Sequence, residues 1–92
     1  MSTERASARD LLEAQHDFPG PFEFRLVVQP EARASVVTAI SAVVAAVGTV
    51  SQRESKKGTY LSIRVEAQVD SADQVLDVWE VLKGLDGVIM SL

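Results

Sequence analysis

The chain has no cysteine and a single histidine, His16. The lack of cysteine excludes a disulfide scaffold, a thiol nucleophile and a zinc site with cysteine ligands. One histidine excludes a metal site built on two histidines and leaves any Ser-His-Asp triad dependent on His16 alone. No apolar run approaches the roughly 20 residues of a transmembrane helix. These absences predict a soluble protein with no metal, no cofactor and no membrane partner.

Positive charge and aromatic residues are also scarce. Nine Lys and Arg stand against 13 Asp and Glu, which gives a formal net charge of -4, whereas a nucleic-acid-binding surface needs excess basic charge. An RNA-recognition sheet also needs two or three stacking aromatics. Only Tyr60 is predicted on the matching face, with Thr59 and Leu61 where that signature requires aromatic residues. Nucleic acid is therefore not a predicted partner.

What the chain contains is enough for one small domain. It has 92 residues, 47% of them hydrophobic, which is too apolar for a disordered protein. Residues 1–17 are polar apart from Leu11 and Leu12, so they are predicted to be an N-terminal extension, either flexible or a short helix. Residues 18–92 are predicted to be a single domain. Because the N-terminus lacks the apolar segment of a secretory signal, the predicted location is cytoplasmic.

Alternating apolar and polar residues predict the strands. The alternation runs over residues 22–28 and, most clearly, over residues 61–69, as expected for strands with one buried face. Residues 49–54 form a weaker strand, and the turn at 55–58 joins it to the next one as an antiparallel hairpin. Residues 88–92 are predicted to be the last strand.

Two segments instead have the apolar spacing of a helix. Residues 31–47 place Val36, Ile40, Val43 and Val47 on one face, and Gly48 marks the predicted end. The second helix covers residues 72–85. Its predicted buried stripe is Ala72, Val75, Leu76, Trp79 and Leu82, with Val78 and Leu85 at the edges. The indole N–H of Trp79 is expected to reach solvent or a backbone carbonyl.

The resulting order, β-α-β-β-α-β, predicts an α+β fold. Since each helix has one apolar stripe, both must cover the same face of a four-stranded antiparallel sheet. Right-handed crossovers then give a ferredoxin-like sandwich with strand order 4-1-3-2. The side chains predicted to face the helices are Phe22, Phe24, Leu26, Leu61, Ile63, Val65, Val88 and Met90.

Function is predicted to lie on the uncovered face of the sheet and at the hairpin. The residues predicted on that open face are Glu23, Arg25, Val27, Gln29, Tyr60, Ser62, Arg64, Glu66 and Ile89. They could form a solvated surface with cross-strand ion pairs, or join two copies in a homodimer. Pairing of sheet edges is a further dimer hypothesis. Lys56 and Lys57 could grip an anion, although a hairpin turn favours the same residue types.

Three segments, taken in order, resemble one family. They are residues 11–13 ahead of 18–22, residues 55–62, and residues 74–92. Together they resemble the YbeD-like family of small uncharacterised bacterial proteins over roughly residues 11–92. The chain departs from that pattern with Lys56 in place of Ser, Thr59 in place of Asn and Trp79 in place of Tyr, and with a plainer link at 48–50.

The resemblance implies a ferredoxin-like fold similar to ACT regulatory domains, which bind small effectors and associate through their sheets. We therefore predict a non-catalytic, ACT-like regulatory or protein-interaction module. It would be a homodimer and would bind a partner protein or a small effector. The alternative is an accessory protein or small enzyme of lipoyl or acyl metabolism. No catalytic residue is predicted. The candidate ligand-binding or partner-binding residues are Lys56, Lys57, Gly58, Tyr60, Arg25 and Arg64.

Overall fold

The computed structural model describes residues 3–91, and this part of the chain contains three α-helices. They are α1 (Thr3–Gln15), α2 (Arg33–Val43) and α3 (Ala72–Lys83), with a 3-10 turn at Pro30–Ala32 before α2. Helix α1 lies in the N-terminal extension, for which the sequence left a short helix and a flexible segment open. None of the three helices is long and apolar enough to cross a membrane.

Four antiparallel strands form one sheet in the described residues. They are β1 (Gly20–Val28), β2 (Ala46–Glu54), β3 (Leu61–Val69) and β4 (Val88–Ser91). Their order across the sheet is β2-β3-β1-β4, which is the predicted order 4-1-3-2 read from the other edge. The predicted βαββαβ arrangement of an α+β fold is therefore confirmed.

The core lies between one sheet face and the helices. Every odd-numbered residue of β3 is buried and every even-numbered one is exposed, the period of two that a half-covered strand requires. The fully buried side chains that fill this layer are Phe24, Leu26, Val28, Val36, Ile40, Ile63, Val65, Val69, Val75, Val78 and Leu82. None of the helices in the described residues covers the opposite sheet face, so its side chains face solvent.

Helix α1 packs on α3 and adds a further helix to the two predicted. Its Leu12 joins the core, whereas the neighbouring Leu11 is exposed. Arg5 Nη2 lies 2.7 Å from Asp77 Oδ1, and Arg9 Nη1 lies 3.6 Å from Asp73 Oδ1. These ion pairs are exposed, so each contributes at most about 1 kcal/mol. Burial of Leu12 contributes more, on the order of 2 kcal/mol.

The predicted boundary between α2 and β2 was wrong by several residues. Helix α2 ends at Val43, and Val44 is already extended, with φ -85° and ψ 164°. Val47 and the preceding residue Ala46 pair with Ala67 and Gln68 of β3 instead of continuing the helix. Valine favours extended backbone, and the exposed edge of β3 offers hydrogen bonds along the whole segment. Cross-strand pairing therefore overrides the helical spacing seen in the sequence.

Two side chains of the C-terminal half also differ from their predicted positions. The β1–β4 register shifts by one residue, pairing Val28 with Val88 but Val27 with Met90. Met90 therefore lies on the open face, not under the helices. On α3, Val78 is buried, whereas Trp79 is only packed against the edge of the core. The indole Nε1 of Trp79 is buried with no hydrogen-bond partner among the described residues, so that expectation was wrong as well.

Candidate functional site

The open face consists of rows of side chains that cross β2, β3 and β1. Ser51, Arg64 and Arg25 form one row, because Arg64 pairs with Ser51 on one side and with Arg25 on the other. In the next row toward the hairpin, Ser62 pairs with Arg53 and with Val27. The structure thus brings the predicted residues Arg25 and Arg64 together on neighbouring strands.

Like charges lie directly opposite each other in two of these rows. Glu23 pairs with Glu66, and Arg25 pairs with Arg64. Like charges at directly opposed positions destabilise a sheet, by about 0.2–1 kcal/mol for each pair. The ion pair in this region runs along one strand instead, since Arg25 Nε donates to Glu23 Oε1 at 2.7 Å. The cross-strand ion pairs proposed from the sequence do not form between directly opposed residues.

The Glu23–Arg25 contact changes the titration of the carboxyl group. The hydrogen bond from the Arg25 guanidinium holds the pKa of Glu23 below its ordinary value, and the positive charges of Arg25 and Arg64 act in the same direction. Partial desolvation opposes this effect. Glu23 is therefore charged at neutral pH and hydrogen-bonds to Arg25, whereas Arg64 makes no side-chain hydrogen bond or ion pair within residues 3–91.

A shallow groove of about 430 Å³ lies on the open face between β2 and β3. It is lined by Ser51, Gln52, Arg53, Ser62 and Arg64. Among the described residues, neither Arg53 nor Arg64 makes an ion pair or a hydrogen bond through its side chain. Two guanidinium groups and two hydroxyl groups are therefore available to one anionic ligand.

Arg53 is the residue that sequence reasoning missed. It belongs to β2, which the sequence predicted only weakly and without a register. Pairing of Glu54 with Leu61 sets that register, and it places Arg53 diagonally from Arg64, a separation that long side chains can span. The position of Arg53 could have been predicted by pairing residues outward from the hairpin turn at 55–60.

The hairpin turn, residues 55–60, holds the other predicted residues. Lys56 and Lys57 are exposed, and the Gly58 backbone N–H donates to the Ser55 carbonyl at 2.9 Å. Gly58 has φ 67° and an ideal Cβ there would meet no atom within 4 Å, so backbone conformation alone explains the glycine. Tyr60 is exposed beside these lysines, and its backbone N–H donates to Ser55 Oγ at 3.1 Å.

An apolar strip occupies the opposite margin of the open face, at β4. It consists of Val27 and its pairing partner Met90, together with Ile89, the exposed residue at the register shift in β4. Ile89 and Met90 are each 48% exposed. This apolar strip and the basic residues near β2 make the two margins of the open face chemically different.

Charge is divided unequally between the open face with the hairpin turn and the rest of the chain. The open face and the hairpin turn together carry Arg25, Arg53, Lys56, Lys57 and Arg64 against Glu23 and Glu66, five cations and two anions with a balance of +3. The rest of the chain carries four cations and eleven anions, a balance of -7. A net acidic protein therefore presents a basic surface, which we call the basic face.

A second concavity lies on the helix side. It is a cleft of about 810 Å³ between α1, α3 and the end of β4, and its apolar lining is Ala8, Leu76 and Trp79. Its polar lining residues are Glu4, Arg5, Glu80, Lys83 and Ser91, and Lys83 Nζ lies 3.9 Å from Glu80 Oε2. The unpaired indole Nε1 of Trp79 is almost wholly covered, so a ligand in this cleft could reach it only if the ring moved.

His16 takes part in none of these sites. The imidazole is exposed and lies edge-on to Phe22, with ring centroids 4.9 Å apart. Its backbone N–H donates to the Leu12 carbonyl at the end of α1. The contact with Phe22 makes it part of the packing around the start of β1.

The fold and its uncovered face define a small ferredoxin-like α+β domain with a solvent-exposed sheet surface. The family described as "Protein of unknown function (DUF493)" matches residues 13–92. The chain belongs to this family, which is the same as the YbeD-like family that the sequence resembles. The matched region begins at Glu13, so it includes the whole sheet but little of α1.

One solved structure supports the fold independently. The solution structure of protein HP0495 from H. pylori superposes with a TM-score of 0.72, at 14% sequence identity, and the match covers 84% of this chain and 85% of that one. At that identity the likeness concerns the fold alone. No curated protein matches the chain.

Proposed function

We propose that this protein is a non-catalytic, ACT-like regulatory or protein-interaction module that works through the basic face. The observation that carries the proposal is the division of charge, with +3 on that face and -7 elsewhere. Such segregation lowers stability through like-charge contacts within the sheet, yet it speeds and orients association with an oppositely charged partner. The partner is a protein or a small effector that carries negative charge.

The hairpin turn is well placed to make the first contact. Lys56 and Lys57 extend beyond the end of the sheet, and the neighbouring Tyr60 offers a partly apolar ring. Long-range attraction acts on such protruding charges first, and shorter contacts along Arg53 and Arg64 follow. Lysines in turns also increase solubility. The contribution of Lys56 and Lys57 to binding must therefore be measured in variants separate from those that change the groove.

Affinity capture from a native lysate, with mass spectrometry, tests this assignment. We expect the Lys56→Ala, Lys57→Ala double variant and the Arg25→Ala, Arg64→Ala double variant to lose the captured partner. Lys83→Ala is the matched control, since this exposed lysine lies on α3 away from the basic face. Circular dichroism should show unchanged folding in all variants. The same partner captured equally by all of them would contradict the proposal.

We further propose that the module is a homodimer joined through the apolar strip of Val27, Ile89 and Met90. Exposed apolar side chains rimmed by polar residues are typical of an interface between proteins. This arrangement leaves β2 and the hairpin turn, at the opposite margin of the sheet from β4, free in each copy. Light scattering of the wild-type protein should give twice the chain mass of 9.9 kDa. The Ile89→Asp variant should give the mass of a single chain. A wild-type protein that stays at the single-chain mass at high concentration would contradict it.

The helix-side cleft favours a second candidate, an accessory role in lipoyl or acyl metabolism. Its apolar lining of Ala8, Leu76 and Trp79 suits an acyl chain. A thermal-shift experiment with octanoic acid and lipoic acid tests this candidate. Stabilisation that is lost in Leu76→Glu would support it, and an unchanged melting temperature with both compounds would exclude it.

A further inference from the structure

Strand β2 is a long free edge of the sheet. It has nine residues and hydrogen-bonds to β3 on one side, whereas no described residue pairs with its other side. Charged residues and proline usually protect an edge strand from pairing with another chain. Strand β2 has no proline, and its charged residues are Arg53 and Glu54 at its end. The register of β2 with β3 shifts between Val47 and Val50, but residues 50–54 pair without interruption, whereas the other edge, β4, has only four residues and a register shift of its own. Edge β2 is therefore the better template for an added strand.

Cationic side chains lie directly beside this edge. Arg53 belongs to β2 itself, and Arg64 is one strand further in, opposite Ser51. Both guanidinium groups lack ion pairs and hydrogen bonds among the described residues. An added strand would lie about 4.8 Å from β2, with alternate side chains on the open face. Those side chains would come within reach of Arg53 and the groove behind it.

We propose that β2 accepts an extended, acidic protein segment as a fifth strand of the sheet. Carboxylates at every second position of the segment would then face Arg53 and Arg64, with the hydroxyl groups of Ser51 and Ser62 as further donors. Backbone pairing supplies sequence-independent affinity, and the alternate charges supply specificity. This inference rests on the proposed function and specifies the chemistry and the conformation of the partner.

Two other occupants fit the same surface less well. A nucleic acid would place phosphates against Glu23 and Glu66, and it would find only Tyr60 as a stacking ring. A second copy of this chain would bring another positively charged face beside Arg53, where like charges repel. An acidic segment of a different protein meets neither obstacle.

A labelled peptide of about seven residues that alternates Thr and Glu is a direct probe, since it has the length of a typical strand. Fluorescence anisotropy should show binding that weakens by about tenfold or more as ionic strength rises from about 10 mM to about 150 mM, because the Debye length falls from about 30 Å to about 8 Å. A peptide that alternates Thr and Lys should not bind. Amide hydrogen exchange should slow in residues 46–54 and stay unchanged in residues 88–91.

A charge-reversal variant distinguishes peptide binding at the groove from non-specific attraction between opposite charges. The Arg53→Glu, Arg64→Glu double variant should lose the acidic peptide and gain the Lys peptide, while Lys83→Glu should bind like the wild type. No binding of the acidic peptide at low salt would overturn the inference. The inference would also be overturned if the acidic peptide bound without slowing amide exchange in β2, or if the Lys peptide bound as tightly as the acidic one. Tighter binding of an oligouridine RNA than of the acidic peptide would overturn it as well. If the capture experiment still succeeds in those cases, the proposed function stands and only the acidic strand is excluded.

Discussion

The two faces of strands β1 and β3 differ although they alternate residue by residue along the same backbone. Toward the helices, Phe24, Leu26 and Ile63 are buried, and their removal from water stabilises the fold. Toward solvent, Arg25 and Arg64 lie opposite each other, and no helix of the described part of the chain covers them. The covered face is thus arranged for stability, whereas the open face keeps a charge pattern that opposes it. This difference is the basis of our proposal that the open face serves binding.

The largest expected difference between the faces comes from adjacent residues of β1. Phe24→Ala should lower the free energy of unfolding by about 3–5 kcal/mol, because it leaves a cavity in the core. Arg25→Ala, on the open side of the same strand, should change it by less than about 1 kcal/mol. Urea denaturation of both variants measures the contrast. Similar losses from the two substitutions would mean that the open face is covered in solution.

Two glycines with positive φ sharpen the same comparison. Gly87 has φ 88°, and a Cβ there would lie 2.6 Å from Ala32 Cβ on the helix side. Gly87→Ala combines backbone strain with this clash and should cost about 2–4 kcal/mol. Gly58→Ala at the hairpin meets no neighbour and should cost about 1 kcal/mol from its conformation alone. Thermal unfolding should rank them in this order, and a larger loss at Gly58 would show that the hairpin turn has contacts beyond this chain.

A substitution within the open face is expected to increase stability slightly, in contrast to the losses above. Arg64→Glu replaces the like-charge pair with the directly opposed Arg25 by an opposite-charge pair, and it also replaces the weaker attraction between Arg64 and Glu23 by repulsion. The net effect should be a rise in the free energy of unfolding of at most about 1 kcal/mol. The same variant should bind the acidic peptide more weakly. Chemical denaturation and anisotropy on one sample test both effects. A destabilised variant would indicate that Arg64 has a structural role after all.

The smallest effect concerns the titration of Glu23. Because the folded-state pKa of this carboxyl lies below its value in the unfolded chain, its contribution to stability is present above the unfolded pKa. That contribution is lost as pH falls through the folded pKa. Arg25→Ala should raise the pKa of Glu23, as carboxyl NMR shifts would report. An unchanged pKa would mean that the Arg25–Glu23 hydrogen bond does not persist in solution.

Alternation of residue types made much of the fold predictable. The pattern of residues 61–69 identified β3 and both of its faces, and it placed Arg64 on the open side. The pattern of residues 22–28 did the same for Arg25. A strand has a strict period of two, so short segments suffice to assign each side chain to a face.

Features that depend on pairing between strands were not predictable in this way. The segment from Val44 to Val47 has a helical spacing, and only its contact with β3 makes most of it a strand. A one-residue shift between β1 and β4 moves Met90 to the other face. Arg53 joins Arg64 only because the hairpin register is counted from Glu54 and Leu61.

The sequence by itself determined the order of the βαββαβ elements, the apolar sides of β1 and β3 and of the two predicted helices, and the class of fold. It could do so because these properties depend on the local period of apolar residues, which is 2.0 for a strand and 3.6 for a helix. The tertiary structure alone decided which charges become neighbours, where α2 gives way to β2, and how α1 docks on α3. Such contacts join residues far apart in the chain, and their geometry is set by strand register and packing, which no local period encodes.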